Sequence, residues 1–156
     1  MLIDPEDLTQ QEVQTLGERY GLSQECMDDL LEGGSKFKAQ VLASIRKMKK
    51  LVDTPDKWLQ GVWAKKANDE NVKASSAEAC KFCMSGALIH AMPEPEVRDS
   101  GDYLLLRERC FDVFRDKLGE QHGFISLYVW NDMDDRTHDD VLRLFEAVLE
   151  NKAYQK

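Results

Sequence analysis

The chain has 156 residues, of which 42% are hydrophobic and 32% are charged, and its formal charge at pH 7 is −8. This length suits a single domain with at most a small appendage, and the hydrophobic fraction suffices for a core, which excludes wholesale disorder. No apolar run approaches the roughly 20 residues that a membrane-spanning helix needs. The acidic start has neither the basic nor the apolar region of a secretory signal, so we expect a soluble cytoplasmic protein.

The negative charge is concentrated at the start of the chain. Residues 1–35 contain nine acidic residues and one basic residue, Arg19, and therefore carry the whole net charge. Residues 36–50 follow with six basic residues and no acidic one. This asymmetry predicts electrostatic pairing, within the chain or with a partner, unless both segments are simply solvated. We predict an acidic helical hairpin over residues 1–35 and a helical core domain over residues 36–156.

Start and stop signals predict the two helices of the hairpin. Thr9-x-x-Glu12 is a capping box, in which the hydroxyl and the carboxylate each bond to a free backbone amide. Gly21 is suited to the left-handed conformation that ends many helices. Ser23 is a suitable cap for a second, short helix, and Gly33-Gly34 would end it.

Three further helices are predicted in the middle of the chain. Apolar residues recur at helical spacing over about 35–51. A Thr-Pro pair at 54–55 predicts the start of another helix, with proline in the first helical position, which fades near 68–69. A second capping box at 75–78 predicts a helix that runs to Met92.

The last third of the chain predicts two helices and one extended segment. A helix is expected over about 102–118. The apolar run at 124–130 is short and rich in β-forming residues, which favours an extended segment. Thr137-x-x-Asp140 then begins the clearest amphipathic helix of the sequence. The fold class is therefore predicted to be all-α, with about six helices and one short extended segment.

The acidic residues of the second predicted helix distinguish two kinds of partner. In a helix-turn-helix this helix would enter the major groove of DNA. It would bring acidic side chains to the phosphates and no basic one, so we do not expect direct binding of nucleic acid. A protein partner with a basic surface suits these residues better, although an ordinary acidic hairpin is the simpler alternative. The acidic residues concerned are Glu25, Asp28, Asp29 and Glu32.

Cys80-x-x-Cys83, with His90 seven residues later, raises the question of a zinc site. Both thiols fall within a predicted helix, and the chain has no second pair of ligands of the kind that zinc sites usually combine. Small residues around Gly86 instead favour a face against which another element packs closely. We therefore predict packing here, with neither a metal nor another cofactor, and reduced cysteines.

The acidic-aromatic corner at 130–137 is the other candidate site. Its spacing does not fit a calcium-binding loop, which needs a glycine and a final glutamate that are missing here. The structural interpretation is that Asn131 and Asp132 form a turn, that Arg136 pairs with Asp132 or another carboxylate, and that Trp130 anchors the corner in the core. The alternative is a corner that binds a ligand or a partner.

Three boxes of the sequence resemble a domain family of bacterial and bacteriophage proteins that has no assigned function. The resemblance covers about residues 54–150 and rests on Trp58-x-x-Gly61, Cys83-x-x-Gly86-Ala87-Leu88, and Trp130-Asn131-Asp132 followed by Arg136-Thr137-x-x-x-Val141. It implies a mostly helical domain of phage or mobile-element origin. It implies no activity, because the family supplies none.

From these observations we expect a non-enzymatic protein-binding or regulatory protein, which would act in the host cytoplasm if a phage encodes it. One alternative is a phage-encoded protein that inhibits a host nucleic-acid-binding or defence enzyme by acidic mimicry. Another is a small-ligand-binding or enzymatic domain with a pocket lined by Trp58, Cys83, Asn131, Asp132 and Arg136. A homodimer, in which residues 36–50 pair with the acidic segment of a second copy, is also left open.

Overall fold

A computed structural model describes residues 8–93, 101–123 and 125–150. Seven α-helices account for most of these residues. The helices are α1 (Gln10–Tyr20), α2 (Gln24–Leu31), α3 (Ser35–Leu51), α4 (Met84–Ala91), α5 (Gly101–His122), α6 (Leu127–Asn131) and α7 (His138–Leu149). Two short strands, β1 (Ala64–Lys65) and β2 (Lys81–Phe82), pair antiparallel. The prediction of an all-α fold is confirmed. None of the described helices combines the length and apolar character needed to cross a membrane.

The helix ends that depend on neighbouring residues form as predicted. At α1, the amide of Glu12 donates to Thr9 Oγ1 over 3.2 Å and the amide of Thr9 donates to the Glu12 carboxylate over 3.1 Å. Gly21 ends the helix with a φ of 68°. Thr137 and Asp140 form the same reciprocal cap at the start of α7. Because each cap links residues three positions apart, no tertiary contact is needed to form it.

Helix α3 lies in the centre of the core. It packs against α2, α4, α5 and α7, and it buries the side chains of Phe37, Val41, Leu42, Ile45 and Met48. The same hydrophobic cluster includes Val13, Leu16 and Leu30 of the first two helices. The acidic segment therefore shares the core of the rest of the chain, and its separation as a domain stays a prediction.

Of the two helices predicted over about 54–69 and 75–92, the first is not formed and the second begins nine residues late. Thr54-Pro55 begins only a 3-10 turn (Pro55–Lys57), and the helix predicted from Ser75 begins at Met84. The backbone amides between them bond to distant residues instead: Leu59 N–H to Phe82 O (2.9 Å), Cys80 N–H to Lys65 O (3.0 Å) and Cys83 N–H to Trp63 O (3.2 Å). These tertiary bonds compensate for the helical bonds that the capping signals favoured.

The extended segment predicted at 124–130 is also wrong. Phe124 lies outside the described residues, but Leu127–Asn131 is helix α6. Ser126 caps it, since the amide of Val129 donates to its Oγ over 3.2 Å. A short apolar run is compatible with either a strand or a buried helix, and here the cap decides for the helix. Helix α5 also extends beyond the 102–118 predicted for it.

Candidate functional site

The side chain of Asn131 connects three segments of the chain. Its Oδ1 accepts from the indole N–H of Trp58 (2.8 Å) and from the amide of Met84 at the start of α4 (3.1 Å). Its Nδ2 donates to Leu59 O (3.0 Å) and to Asp132 Oδ1 (2.9 Å). An amide side chain offers two donors and two acceptor positions, and all four are used. Asn131 has no exposed surface, so this arrangement meets the requirement that buried polar groups be hydrogen-bonded.

Asp132 and Gln60 extend this network around the turn after α6. Asp132 Oδ1 also accepts from the amide of Gly61 over 3.0 Å. The Gln60 side chain donates to the carbonyl oxygens of Asn131 (2.9 Å) and Met133 (3.0 Å). The loop that contains residues 58–61 is thereby fastened to the end of α6. Gln60 was not identified from the sequence, where nothing marks a lone glutamine as a partner of a distant turn.

Arg136 closes the corner against Trp130. Its guanidinium carbon lies 3.9 Å from the centre of the indole, and its Nε donates to Trp130 O over 3.0 Å. The carboxylate near it is that of Asp140, at 3.7 Å, and not that of Asp132. Trp130 is buried, as predicted, and its indole N–H has no partner among the described residues. A cation stacked on an aromatic face in this way stabilises the corner.

Cys83 caps α4 rather than lying inside a helix. The amide of Gly86 donates to its sulfur over 3.2 Å, and Cys80 lies before β2, exposed to solvent. The prediction that both thiols belong to one helix is therefore wrong. A thiol at a helix start is often activated, but here burial raises the pKa of Cys83, which favours the neutral thiol. The close approach expected at Gly86 does occur, since a Cβ there would collide with the carbonyl oxygen of Trp63.

The described residues do not assemble a metal site. His90 Nδ1 lies 2.7 Å from Ala74 O, and its ring packs against that of Phe82. Within residues 8–93, 101–123 and 125–150, no three His, Cys, Asp or Glu side chains are grouped so as to hold a metal ion.

The residues predicted to line a pocket do lie close together in the fold, but they mostly contact one another instead of lining an open cavity. Trp58, Asn131 and Asp132 share hydrogen bonds, while Cys83 and Arg136 bond to backbone or to neighbouring helices. Most of their polar atoms, including all those of the Asn131 side chain, thus already have partners within the fold. This geometry gives the corner a structural role, and a role for these residues in binding stays a prediction.

The acidic residues of α2 have different surroundings. Asp29 accepts from the amides of Lys36 (3.1 Å) and Phe37 (2.9 Å), so it caps α3, whose own N-cap, Gly34, has no side chain. Glu25 forms an exposed ion pair with Lys36, at 3.7 Å. Asp28 accepts from Gln24 within its own helix, and Glu32 is exposed. Three of the four side chains therefore remain at the surface or close to it, while Asp29 belongs to the scaffold.

An exposed aromatic surface, formed by Trp63, Tyr128, Val129 and Met133, was not identified from the sequence. The described residues leave five large hydrophobic side chains exposed, and these are four of them. Trp63, which is 46% exposed, stacks on Tyr128 with ring centres 5.3 Å apart and planes 20° apart. The four residues come from two segments, which the Asn131 network holds together.

A shallow groove of about 590 Å³ continues this surface on the other side of Trp63. Its apolar wall consists of Trp63, Val72, Ala74 and Ile89, and Lys73 lies at its margin. Asp134 and Asp135 follow Met133 in the sequence; both are exposed, and neither forms an ion pair within the part of the chain that the structure describes. The aromatic surface therefore adjoins an apolar groove at Trp63 and is followed, after Met133, by two exposed carboxylates.

The fold and the Asn131 network define a small, mostly helical domain in which one buried amide fastens an irregular loop. The model of a family of unknown function, DUF6197, matches residues 37–151, and the chain belongs to this family. The match includes the boxes at 54–150 and leaves the acidic hairpin outside it. Neither the curated proteins nor the solved structures give a match.

Proposed function

We propose that this protein is a non-enzymatic protein-binding protein that docks a partner on the aromatic surface and in the groove beside it. The observation that carries the proposal is the exposed stack of Trp63 on Tyr128, with Val129 and Met133 also exposed on the segment that follows Tyr128. Contiguous exposed apolar patches are typical of interaction sites, whereas single exposed hydrophobic residues are ordinary.

The composition of the surface favours a protein partner. Tryptophan, tyrosine and methionine are enriched in the centre of protein interfaces, where aromatic anchors supply most of the binding energy. Trp63 and Tyr128 are already stacked, so little side-chain freedom is lost when a partner covers them. Asp134 and Asp135 lie at the edge, where they would attract lysine or arginine. The partner would therefore present apolar side chains next to basic ones, in agreement with the expected basic surface.

The alternatives receive less support from the geometry. A ligand pocket among Trp58, Asn131 and Asp132 is disfavoured because their polar atoms are bonded to one another. Acidic mimicry by α2 is weakened because Asp29 caps α3 and Glu25 pairs with Lys36. The bacterial or bacteriophage setting of the proposal rests on the resemblance of the three sequence boxes.

The proposal is tested by capturing partners from a bacterial lysate with the purified protein and with the Trp63→Ala/Val129→Asp double variant. Both substitutions fall on exposed side chains, so the fold should remain intact, which circular dichroism would show. Proteins bound by the wild type are identified, purified and titrated individually. We expect the double variant to bind such a partner at least about 30-fold more weakly, as for loss of an interface hot spot.

Leu31→Asp is the matched control, because Leu31 is the fifth exposed large hydrophobic residue and is not part of the aromatic surface. This variant should bind the purified partner like the wild type. Equal affinity of the wild type and the double variant would refute the proposed surface, and so would equal loss in the control.

A further inference from the structure

The exposed face of α3 has an uneven distribution of charge. Its exposed side chains are small or polar in the middle and basic towards the C-terminal end: Lys36, Ala39, Gln40, Ala43, Arg46, Lys47 and Lys50. The opposite face holds the apolar residues that make the core. We call this exposed set the outer face of α3.

The basic end of the outer face is not neutralised. Arg46, Lys47 and Lys50 form no ion pair or side-chain hydrogen bond with any residue that the structure describes. The negative end of the helix dipole lies close to them and stabilises them, but it corresponds to only about half an elementary charge. Three cations thus meet solvent within two turns of one helix.

The other end of the outer face lies beside acidic residues. Helix α2 packs against α3, and Glu25 reaches Lys36 at 3.7 Å. Asp28 and Glu32 are exposed on the same short helix or directly after it, and residues 23–35 contain no base. The molecule therefore presents an acidic region and a basic region at the two ends of one helix.

We propose that the chain forms a two-fold homodimer in which the outer faces of two α3 helices pack antiparallel. The basic end of each copy then lies against the acidic α2 of the other. A two-fold interface is self-complementary, and a molecule with opposite charges at the two ends of one face satisfies that condition.

The spacing along α3 fits this arrangement. If the two-fold axis passes near Ala43, Lys50 of one copy lies opposite the Lys36–Glu25 pair of the other, where the Glu25 carboxylate is its counter-charge, and Arg46 lies opposite Gln40. The seven residues from Ala43 to Lys50 correspond to about 10 Å of helix, so Lys50 and the Lys36–Glu25 pair lie at that distance from the axis on either side. Ala39 and Ala43 near the axis have short side chains, which let the helices approach closely.

A second copy suits the outer face better than a polyanion does. A nucleic acid that followed the basic end along α3 would meet Glu25 and the other carboxylates of α2, which repel phosphate. A second copy pairs both ends at once. The interface uses none of the four residues of the aromatic surface, so either proposal can fail without the other.

The test measures the oligomeric state by sedimentation velocity over a range of protein concentrations. We expect a dimer whose dissociation constant rises about tenfold or more between about 0.05 M and about 0.5 M NaCl, because exposed ion pairs are screened. The Arg46→Glu/Lys47→Glu/Lys50→Glu variant should be monomeric under the same conditions. So should the Glu25→Lys/Asp28→Lys/Glu32→Lys variant, which leaves the capping residue Asp29 intact.

Mixing these two variants gives the decisive result. In the mixed pair each acidic region again faces a basic one, so the heterodimer should form although neither variant dimerises alone. A variant with three reversed charges elsewhere (Lys73→Glu, Arg115→Glu and Arg143→Glu) should dimerise like the wild type. Circular dichroism would verify that every variant is folded.

Three outcomes would overturn the proposal. The first is a wild type that stays monomeric at low salt. The second is a dimer that persists in both charge-reversed variants, and the third is a failure of the mixed variants to associate. Binding of a fluorescent oligonucleotide that the Arg46 variant abolishes, without dimerisation, would assign the basic end to a polyanion instead.

Discussion

Replacement of Asn131 by alanine should destabilise the protein more than a typical point substitution does. The change removes one amide group that makes four hydrogen bonds, and it leaves the indole N–H of Trp58, the amide of Met84 and the carbonyl of Leu59 without this partner. An unsatisfied buried polar group costs about 1–3 kcal/mol.

The size of the loss follows from the burial of these groups. Met84 is fully buried, so its amide cannot recover a bond to water and should contribute about 2 kcal/mol. Trp58 and Leu59 are half-buried, and water can replace part of each bond, which leaves about 1 kcal/mol apiece. We therefore expect the free energy of unfolding to fall by about 4 kcal/mol, and the melting temperature to fall by about 8–16 °C for a chain of this size.

Urea denaturation followed by circular dichroism measures this loss, provided that the slope of the transition is unchanged. Asn71→Ala is the control, because Asn71 is exposed, and it should change the unfolding free energy by less than about 0.5 kcal/mol. A loss below about 1 kcal/mol for Asn131→Ala would refute the view that this amide fastens the loop.

Asn131→Asp adds a test that depends on pH. One oxygen of the new carboxyl group would accept from Trp58 and Met84, which favours its charged form, while the other would face Asp132 and the Leu59 carbonyl. Complete burial and this repulsion outweigh the two donors, so its pKa in the folded state should lie above that in the unfolded state. A raised carboxyl pKa makes the variant less stable once pH exceeds the unfolded-state value, and the deficit is relieved below it. The gap in unfolding free energy from the wild type should therefore shrink between about pH 7 and about pH 4, and a constant gap would contradict the assigned contacts.

Three further predictions concern packing, capping and thiol reactivity. Gly86→Ala forces a methyl group against the carbonyl of Trp63 and should lower the free energy of unfolding by about 2–3 kcal/mol in urea titrations. Gly119→Ala, in open space on α5, should raise it by up to about 1 kcal/mol. Similar effects at both sites would be inconsistent with the close approach at Gly86. Asp29→Ala should lower the free energy of unfolding by about 1 kcal/mol because it removes the cap of α3. Asp28→Ala should change the free energy of unfolding by less than about 0.5 kcal/mol. Equal losses in the two variants would argue against the cap. In native protein Ellman's reagent should react rapidly with Cys80 alone, because Cys80 is exposed while burial raises the pKa of Cys26 and Cys110 to about 12. A fast phase that survives in the Cys80→Ser variant would show that another thiol is accessible.

The helices that were predicted well are those whose ends are specified locally. Helices α1, α2 and α7 begin close to the predicted residues, because a side chain within a few positions satisfies the free backbone groups. Helix α3 also begins where predicted, but its cap is Asp29 of the preceding helix. The segment from 54 to 83 contains similar signals at Thr54-Pro55 and Ser75. They were misleading because the backbone there bonds to residues far away in the chain.

The candidate site was predicted only in part. The boxes around Trp58, Cys83 and Asn131 did mark residues that meet in the fold, but the sequence could not distinguish a ligand pocket from a closed hydrogen-bond network. The exposed aromatic surface was missed because hydrophobicity alone does not show which tryptophan is buried. Trp130 and Trp63 are the same residue type, yet one lies in the core and the other at the surface.

The sequence by itself determined the helical class, the local helix ends and the placement of the whole net charge before residue 36. These features follow from the hydrogen-bonding capacity and charge of residues near one another, so they can be read without a structure. The tertiary structure alone decided that residues 58–83 form an irregular, tightly bonded loop region and that Trp63 and Tyr128 stack at the surface. Those outcomes depend on which distant groups meet, and the buried amide of Asn131 makes the connection between them.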